Sequence, residues 1–418
     1  MMNLLLLLMI PNLHANVNFK TAFERALDQN PGLKSQTQVV VQSKERKNQA
    51  VGALLPSVNF VYSFSKQADN PSAAFGTIFP TERQDIRLTA TQPLFRGMRE
   101  YAGLAQAKYQ YEAQKYQKAR LATSLYSEIA SVYYNSLSFD EEIDLYNEEI
   151  QVNRERLEEI KALRNSGRSR EADQLAIESA IYSLEAQVAS TSFQKSAARQ
   201  NLLTISGIDP SEHLKDDRVI PDKIKTEYYY VERMVMRPDI LAAENDYLAA
   251  DEGVGVAFGG HLPSIDVSGN YYLQRGQTAL KDVLWDVTLG VTMPLFAGGS
   301  IQSQYRSAVA ERKNREIIND KAKLDAVQEI KSLYSAVKNE WVQVQKLNRA
   351  AELAERNYKL QKKDSKLGLV TQLDVLQAIA TAKQTKRLLA RARNNLKTDY
   401  AKLESATVEM KWKEEEDE

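Results

Sequence analysis

The sequence repeats its own landmarks at an interval of about 200 residues. Three of them recur in the same order: Leu-Pro-Ser at 55–57 and 262–264, Pro-Leu-Phe at 93–95 and 294–296, and a glycine after a long charged tract at Gly167 and Gly368. The first pair is 207 residues apart and the other two are 201 residues apart. An internal repeat determines the architecture before any local motif does. We therefore predict the same unit twice: a helix, two strands and a long helical hairpin.

Four segments alternate between apolar and polar residues, and we predict them as strands over residues 57–66, 84–93, 264–274 and 284–293. Such alternation gives a strand one apolar face and one polar face. A soluble sandwich would bury the apolar face in a core, whereas a membrane barrel would turn it towards lipid. Each segment has about nine or ten residues, the length of a tilted membrane strand. In a barrel we expect these aromatic residues near the membrane interfaces: Tyr62, Tyr271, Tyr272 and Trp285.

Four strands are too few to close a membrane barrel, because the smallest barrels have about eight. An open sheet edge would leave backbone groups unpaired in lipid, which a membrane does not tolerate. The barrel interpretation therefore requires several chains: two would supply eight strands and three would supply twelve. Since side chains fill the interior of an eight-stranded barrel, a conduit needs the larger number.

Long helical tracts follow each pair of strands, and we predict hairpins over residues 98–206 and 299–408. An outgoing helix of roughly 65 residues would be about 100 Å long at the normal helical rise. One apolar series advances in steps of three and four, the spacing of a coiled coil: Val327, Ile330, Tyr334, Val337, Trp341 and Val344. The helices alone are equally compatible with a coiled-coil scaffold that has no membrane strands.

The remaining segments divide the chain around these repeats. The apolar run from Leu4 to Ile10 is too short to span a bilayer as a helix. It fits a secretory signal cleaved after Ala15, with a buried N-terminal helix as the alternative. The predicted order is a signal peptide at 1–15, a first repeat at 16–207, an equatorial connector at 208–227, a second repeat at 228–410 and a disordered acidic tail at 411–418.

Composition and motifs argue against several classes of function. Lys plus Arg and Asp plus Glu both number 55, so the chain lacks the basic excess of a nucleic-acid-binding protein. The absence of cysteine excludes thiolate catalysis and a cysteine zinc site. The three histidines are scattered and form no metal-ligand spacing or catalytic triad. We predict neither an enzyme nor a bound cofactor.

Two further patterns have simple structural interpretations. Gly253, Gly255, Gly259 and Gly260 follow a helix and precede a strand, the reverse of a dinucleotide-binding loop, so we interpret them as a hinge. Adjacent acidic residues on the helical tracts are interpreted as solvated faces: Glu141 with Glu142, and Glu148 with Glu149.

The duplicated order of these motifs resembles the TolC-like outer-membrane efflux proteins over essentially the whole mature chain. The segments that resemble the family are Gln92-Pro93-Leu94-Phe95-Arg96-Gly97, Met293-Pro294-Leu295-Phe296-Ala297-Gly298, and the turn from Gly368 to Ala378 with Thr371 and Asp374-Val375-Leu376. The resemblance implies a mostly α-helical homotrimer. Four strands per chain would form a 12-strand barrel in the outer membrane of a Gram-negative bacterium, continued by a periplasmic α-helical tunnel.

The resemblance also implies partners and cargo. A periplasmic adaptor and an inner-membrane pump would work with the duct, which itself is passive. The cargo would be drugs, other small toxic molecules, or polypeptides in type I secretion. The turns at Gly167 and Gly368 are the expected adaptor contacts.

The family's gate suggests site residues in the second turn. Asp374 matches the first acidic residue of the periplasmic constriction, and Gln377 stands where the family has the next. Three copies of Asp374 around an axis would attract cations and repel one another, which raises their proton affinity. The alternative is that Asp374 only caps the returning helix.

The family's closing latch is expected to be absent or rebuilt in this chain. Asp173 matches the latch aspartate, but Ser365 and Val370 occupy the positions of its tyrosine and arginine. The arginines of the first turn could supply a replacement: Arg164, Arg168 and Arg170.

Two functional hypotheses remain open from the sequence. The first is the exit duct of a tripartite efflux or type I secretion system. The second is a structural coiled-coil or adhesin-like surface protein without transport. The duct requires the four strands to face lipid, whereas the structural protein does not.

Overall fold

The computed structural model describes residues 17–66, 68, 82–221, 223–276 and 280–409. The predicted signal segment 1–15 and the acidic tail 411–418 lie outside these ranges. Within them, none of the helices carries a stretch long and apolar enough to cross a bilayer.

The predicted duplicated order of elements is confirmed. The first repeat contains α1 (Phe19–Gln29), α2 (Pro31–Gly52), β1 (Ser57–Lys66), β2 (Glu82–Arg96), α3 (Arg99–Asn165) and α4 (Glu171–Ser206). The second contains α5 (Glu227–Glu232), a 3₁₀ turn (Arg233–Met236), α6 (Pro238–Gly259), β3 (Ser264–Gln274), β4 (Trp285–Thr292), α7 (Ser300–Lys366) and α8 (Gln372–Ala406). Helices α3 and α7 both have 67 residues, as equivalent members of a duplication should.

The chain divides into two compact units, and neither unit coincides with a repeat. The sheet unit contains residues 36–118 and 238–323, and the helical unit contains residues up to 35, 119–237 and from 324 onwards. Each unit thus takes corresponding parts from both repeats. The duplication describes the order of the elements but does not produce two separate domains.

The sheet unit contains one antiparallel sheet with the strand order β1-β2-β3-β4. On one face of β1 the apolar residues Val58, Phe60, Tyr62 and Phe64 are all more than half exposed. The matching residues of β4 are equally uncovered, for example Val287 and Leu289. A soluble sandwich would require an apolar core against this face. The described part of the chain does not provide one.

Glycines bring α6 close to the base of α3 in the sheet unit. A Cβ on Gly97, whose φ is +67°, would lie 2.4 Å from the carbonyl oxygen of Gly259. Gly253 and Gly255 lie inside α6, opposite Gln106 and Ala102. The predicted hinge is therefore wrong for these two residues, because both lie within the continuous helix α6.

The connector is built into the core of the helical unit. Val17 and Leu214 form a parallel bridge, and the hydroxyl of Tyr133 donates to the backbone oxygens of Val17 and Lys215 at 2.8 Å each. The guanidinium of Arg218 pairs with Glu404. Residues 207–221 thus bind the start of the chain to α3 and α8.

Each helical hairpin has its own apolar seam. Ile330 and Val337 of α7, predicted as coiled-coil positions, are fully buried beside Leu396 and Leu403 of α8. In the first hairpin, α3 and α4 bury a set of isoleucines: Ile150, Ile160, Ile177 and Ile181. The hydrophobic effect therefore stabilises each helix pair internally.

Candidate functional site

The two hairpin turns have the same local design. Gly167 and Gly368 have φ values of +75° and +72°, a conformation that favours glycine at the end of a helix. In each turn an aspartate is the third residue of the returning helix, Asp173 in α4 and Asp374 in α8. The duplication thus preserves both the turn and its acidic residue.

Asp374 caps its helix. One of its carboxylate oxygens accepts hydrogen bonds from the backbone N–H of Thr371 at 2.8 Å and from its hydroxyl at 2.6 Å. These bonds hold the pKa of Asp374 below its usual range. The side chain is exposed, as is that of Gln377. The capping role is thus present, and a constriction formed by these residues stays a prediction.

Asp173 is the equivalent cap of the first turn. It accepts from the backbone N–H of Arg170 at 3.1 Å and from its guanidinium at 2.9 Å, while Ser169 donates its hydroxyl at 3.2 Å. The bonds from Arg170 lower the pKa of Asp173. Asp173, the expected latch aspartate, therefore forms these hydrogen bonds with residues of its own turn.

Arg156 of α3 contacts the second hairpin on both sides of its turn. Its guanidinium donates to the hydroxyl of Ser365 at 2.8 Å and to the side-chain oxygen of Gln372, and it pairs with Glu159 at 2.5 Å. The Arg156 side chain is almost completely buried. Ser365, which contacts Arg156, occupies one of the two altered latch positions. Val370 occupies the other and is partly buried.

The arginines that we predicted as a replacement latch are engaged differently. Arg164 contacts Gln174 and Glu171, and Arg170 contacts Asp173, so both stabilise the first turn. Arg168 is exposed. The structure assigns the cross-hairpin contact to a residue nine positions before the turn, which the family pattern did not indicate.

Arg156 continues a polar seam between α3 and α8. The side-chain pairs are Glu141 with Asn394 (3.1 Å), Glu142 with Arg391 (3.1 Å), Glu148 with Lys383 (2.7 Å) and Glu149 with Arg387 (2.5 Å). The interpretation of these acidic pairs as solvated faces is wrong for Glu149, which is 3% exposed. A signal was available in the sequence, because Glu142, Glu149 and Arg156 are spaced by seven residues.

Burial affects the charge of Glu149. Desolvation raises the pKa of its carboxyl group, although the guanidinium of Arg387 opposes this effect. Because the folded-state pKa is raised, the stability linked to this group is complete at low pH and is lost as the pH rises through that pKa. Arg387, together with the nearby Lys383, thus favours the ionised form of Glu149 against the cost of desolvation.

The seams within and between the hairpins differ in composition. The buried clusters that join α3 to α4 and α7 to α8 are largely apolar. The seam between α3 and α8 combines ionic and amide pairs with apolar contacts, because Leu376 packs on the isoleucines of the first hairpin and Ala401 lies in a buried cluster with α3. Separating apolar contacts exposes hydrocarbon to water, which is costly over the area exposed. The groups of a polar pair can exchange their partners for water, and exposed pairs contribute little.

The sheet has one polar face crossed by hydrogen bonds. Asn270 accepts from the hydroxyl of Thr89 at 2.8 Å and donates to Asp286 at 2.8 Å, which links β2, β3 and β4. Arg96 pairs with Asp266 at 2.8 Å on the same face. Within the described ranges, no group of three or more histidines or acidic residues could hold a metal ion.

Three of the four predicted interface aromatics lie on the apolar face of the sheet. Tyr62, Tyr271 and Trp285 are each more than half exposed there, and Tyr271 pairs directly with Trp285. Tyr272 is different, because successive side chains of a strand point to opposite faces. It lies on the polar face and is only 8% exposed, so it does not share the exposed apolar face with the other three aromatic residues.

Comparison with known proteins agrees with this architecture. A profile of the family described as "Outer membrane efflux protein" matches residues 22–208 and 231–408. Nodulation protein T of Rhizobium leguminosarum bv. trifolii is 28% identical over 174 residues, which are 41% of this chain and 37% of that protein. The match thus spans well under half the length of this relative.

Solved structures share the fold. The outer-membrane channel OprN superposes with a TM-score of 0.81 at 20% identity, covering 93% of this chain and 89% of that one. The outer membrane protein VceC of Vibrio cholerae gives 0.80 at 18% identity, with coverages of 93% and 95%. With the family profile matching nearly all of both repeats, the chain is a member of the outer membrane efflux protein family.

Proposed function

We propose that this protein is the exit duct of a tripartite efflux or type I secretion system, located in the outer membrane of a Gram-negative bacterium. It conducts its cargo passively, and an inner-membrane pump supplies the energy through a periplasmic adaptor. The observation that carries the proposal is the sheet, with an uncovered apolar face and a hydrogen-bonded polar face. This combination suits lipid on one side and a water-filled pore on the other.

A homotrimer follows from the edges of the sheet. Strands β1 and β4 lie at the two ends of the strand order, and each has one unpaired edge among the described residues. Pairing β4 of one chain with β1 of the next removes every edge, as lipid requires. Three copies supply twelve strands, enough for an open pore, and most of the remaining mass is helical and periplasmic. The turns at Gly167 and Gly368 would then contact the adaptor.

The hairpin turns would form the gate. Three copies of Asp374, supported by Gln377, would surround the pore axis and bind cations. The contact of Arg156 with Ser365 and Gln372 would take the place of a latch, with the α3–α8 polar seam behind it. Opening would then require these polar contacts between α3 and α8 to exchange partners.

Planar-bilayer recording of the purified trimer tests the proposed function. Discrete channel conductance, together with a trimer in the membrane fraction whose migration changes on heating, is the expected result. A stable trimer without conductance would instead favour the structural or adhesin-like protein, since that hypothesis requires assembly but no pore.

The gate has its own matched test. We expect Asp374→Asn to weaken block by divalent cations, because the ring of carboxylates is lost. Asp173→Asn is the control, because it perturbs an equivalent helix cap in the other turn. Equal block in wild type and Asp374→Asn would show that Asp374 serves only as a cap.

A further inference from the structure

A cluster of charged residues lies on the polar face at the end of the sheet farthest from the helices. All four connections between helices and strands join the opposite end, where β1 and β3 begin and β2 and β4 finish. The outer-mouth cluster consists of Arg83, Asp85, Arg87, Tyr272, Arg275 and Asp286. None of these residues takes part in the gate described above.

Asp85 holds the chain that follows β3 against this face. It is 5% exposed, pairs with Arg83 at 2.7 Å and accepts the backbone N–H of Gly276 at 2.8 Å. A Cβ on Gly276 would lie 2.5 Å from the Arg83 side chain, so the contact is close. The β2–β3 register shifts beside Arg87, and such a bulge bends a strand. The chain therefore folds inwards over the polar face.

Arg275 is fixed on the same face. Its guanidinium carbon lies 4.1 Å from the centre of the Tyr272 ring, and it donates to the backbone oxygen of Val283 at 3.0 Å. Arg87 pairs with Tyr272 across the strands. Tyr272 and Asp85 are both nearly completely buried, whereas Arg87 and Asn270 on the same face are half-buried, so the cover is greatest at this end of the sheet.

The charges of the outer-mouth cluster do not cancel. Arg83 neutralises Asp85 through their direct ion pair. Arg87 and Arg275 then remain with a single acidic residue, Asp286, which accepts the amide of Asn270. Among its described residues the outer-mouth cluster thus carries one excess positive charge per chain, and a ring of three chains would carry three. A charged ring in a narrow passage concentrates counter-ions.

We propose that the outer-mouth cluster is a second constriction of the duct, which favours anionic solutes over cations. The inference rests on the proposed function, because it requires the polar face of the sheet to line the pore. Arg87 and Arg275 would be the residues that determine specificity, and Tyr272 and Asp85 would position them. The ligands that fit are small carboxylates, sulfonates and similar anions.

Reversal potentials in a potassium chloride gradient test this proposal. We expect Arg275→Gln and Arg87→Gln each to raise the potassium-to-chloride permeability ratio about twofold or more, and Arg275→Glu to raise it further. Lys66→Gln is the matched control. Lys66 lies at the same end of β1 but shares the apolar face with Phe64, so its loss should leave the ratio unchanged.

The outcomes separate this inference from the function on which it rests. Conducting trimers whose permeability ratio is the same in wild type, Arg275→Gln and Arg275→Glu would overturn the second constriction and leave the duct intact. Wild-type trimers that do not conduct would overturn the duct itself. An equal effect of Lys66→Gln would show that general surface charge, and not the cluster, sets the ratio.

Discussion

The buried pair of Glu149 and Arg387 provides the most direct test of the polar seam. The Glu149 side chain is 4% exposed and that of Arg387 is 14% exposed, and their charged atoms are 2.5 Å apart. Arg387→Gln would remove the cation and leave an ionised carboxylate buried between α3 and α8. The Arg387 guanidinium also stacks on Tyr146 at 4.3 Å, so the substitution removes this contact too.

The expected magnitude follows from the burial. Breaking a buried pair by removing one partner costs about 3–5 kcal/mol, because the other charge is left uncompensated. Lys383, which pairs with the adjacent Glu148 at 2.7 Å, partly compensates the charge of Glu149. We therefore expect Arg387→Gln to lower the free energy of unfolding by about 3 kcal/mol at pH 7.5. Protonation of Glu149 reduces this cost, by up to about 1.4 kcal/mol per pH unit. Near pH 5 we therefore expect a smaller cost than at pH 7.5.

Denaturant titration of the protein in detergent at both pH values measures these free energies of unfolding. Arg391→Gln is the control in the same seam, because Arg391 is 56% exposed and its pair with Glu142 should contribute less than about 1 kcal/mol at either pH. A cost for Arg387→Gln that equals that of Arg391→Gln, or that does not change with pH, would refute the argument that burial controls this seam.

Three further predictions concern single positions. Thr371→Ala should destabilise the second turn by about 1 kcal/mol in a denaturant titration, because the helix loses its cap. Thr371→Ser keeps the capping hydroxyl and should retain the stability of the wild type. Arg218→Met should cost about 3 kcal/mol in the same assay, because Glu404 loses its buried partner; an unchanged midpoint would contradict this. Gly97→Ala should sharply lower the yield of folded protein, because its Cβ would lie 2.4 Å from a backbone oxygen. The equivalent Gly298→Ala has open space and should cost only about 1–2 kcal/mol from its positive φ, so equal yields would show that the contact at Gly97 does not matter.

The strands and helices could be predicted because their signals are local. Alternation over residues 57–66 and 264–274 marks strands by their period of two, and β1 and β3 occupy the same ranges. The turns at Gly167 and Gly368 follow from glycines that end charged tracts. Each of these features depends on neighbours within a few residues of the chain.

The pairing partners of the charged residues could not be predicted from such local signals. The seven-residue spacing places Arg156 on the same face of α3 as Glu142 and Glu149, but it does not identify the partners of Arg156, and Arg154 pairs with Glu185 of α4 instead. The partners of Arg156, Ser365 and Gln372, are more than 200 residues away in the sequence. The grouping of Tyr272 with Tyr271 overlooked the alternation of the strand, since adjacent tyrosines lie on opposite faces of a sheet.

The sequence by itself determined the duplicated units, their turns and the number of strands, which is too small for a closed barrel. Periodicity and glycine positions carry this information, because backbone geometry responds to them locally. Only the tertiary structure decided which charges are buried, which arginine joins the hairpins and which side of the sheet Arg275 covers. These outcomes depend on the desolvation and pairing of groups from distant segments, which no local pattern encodes.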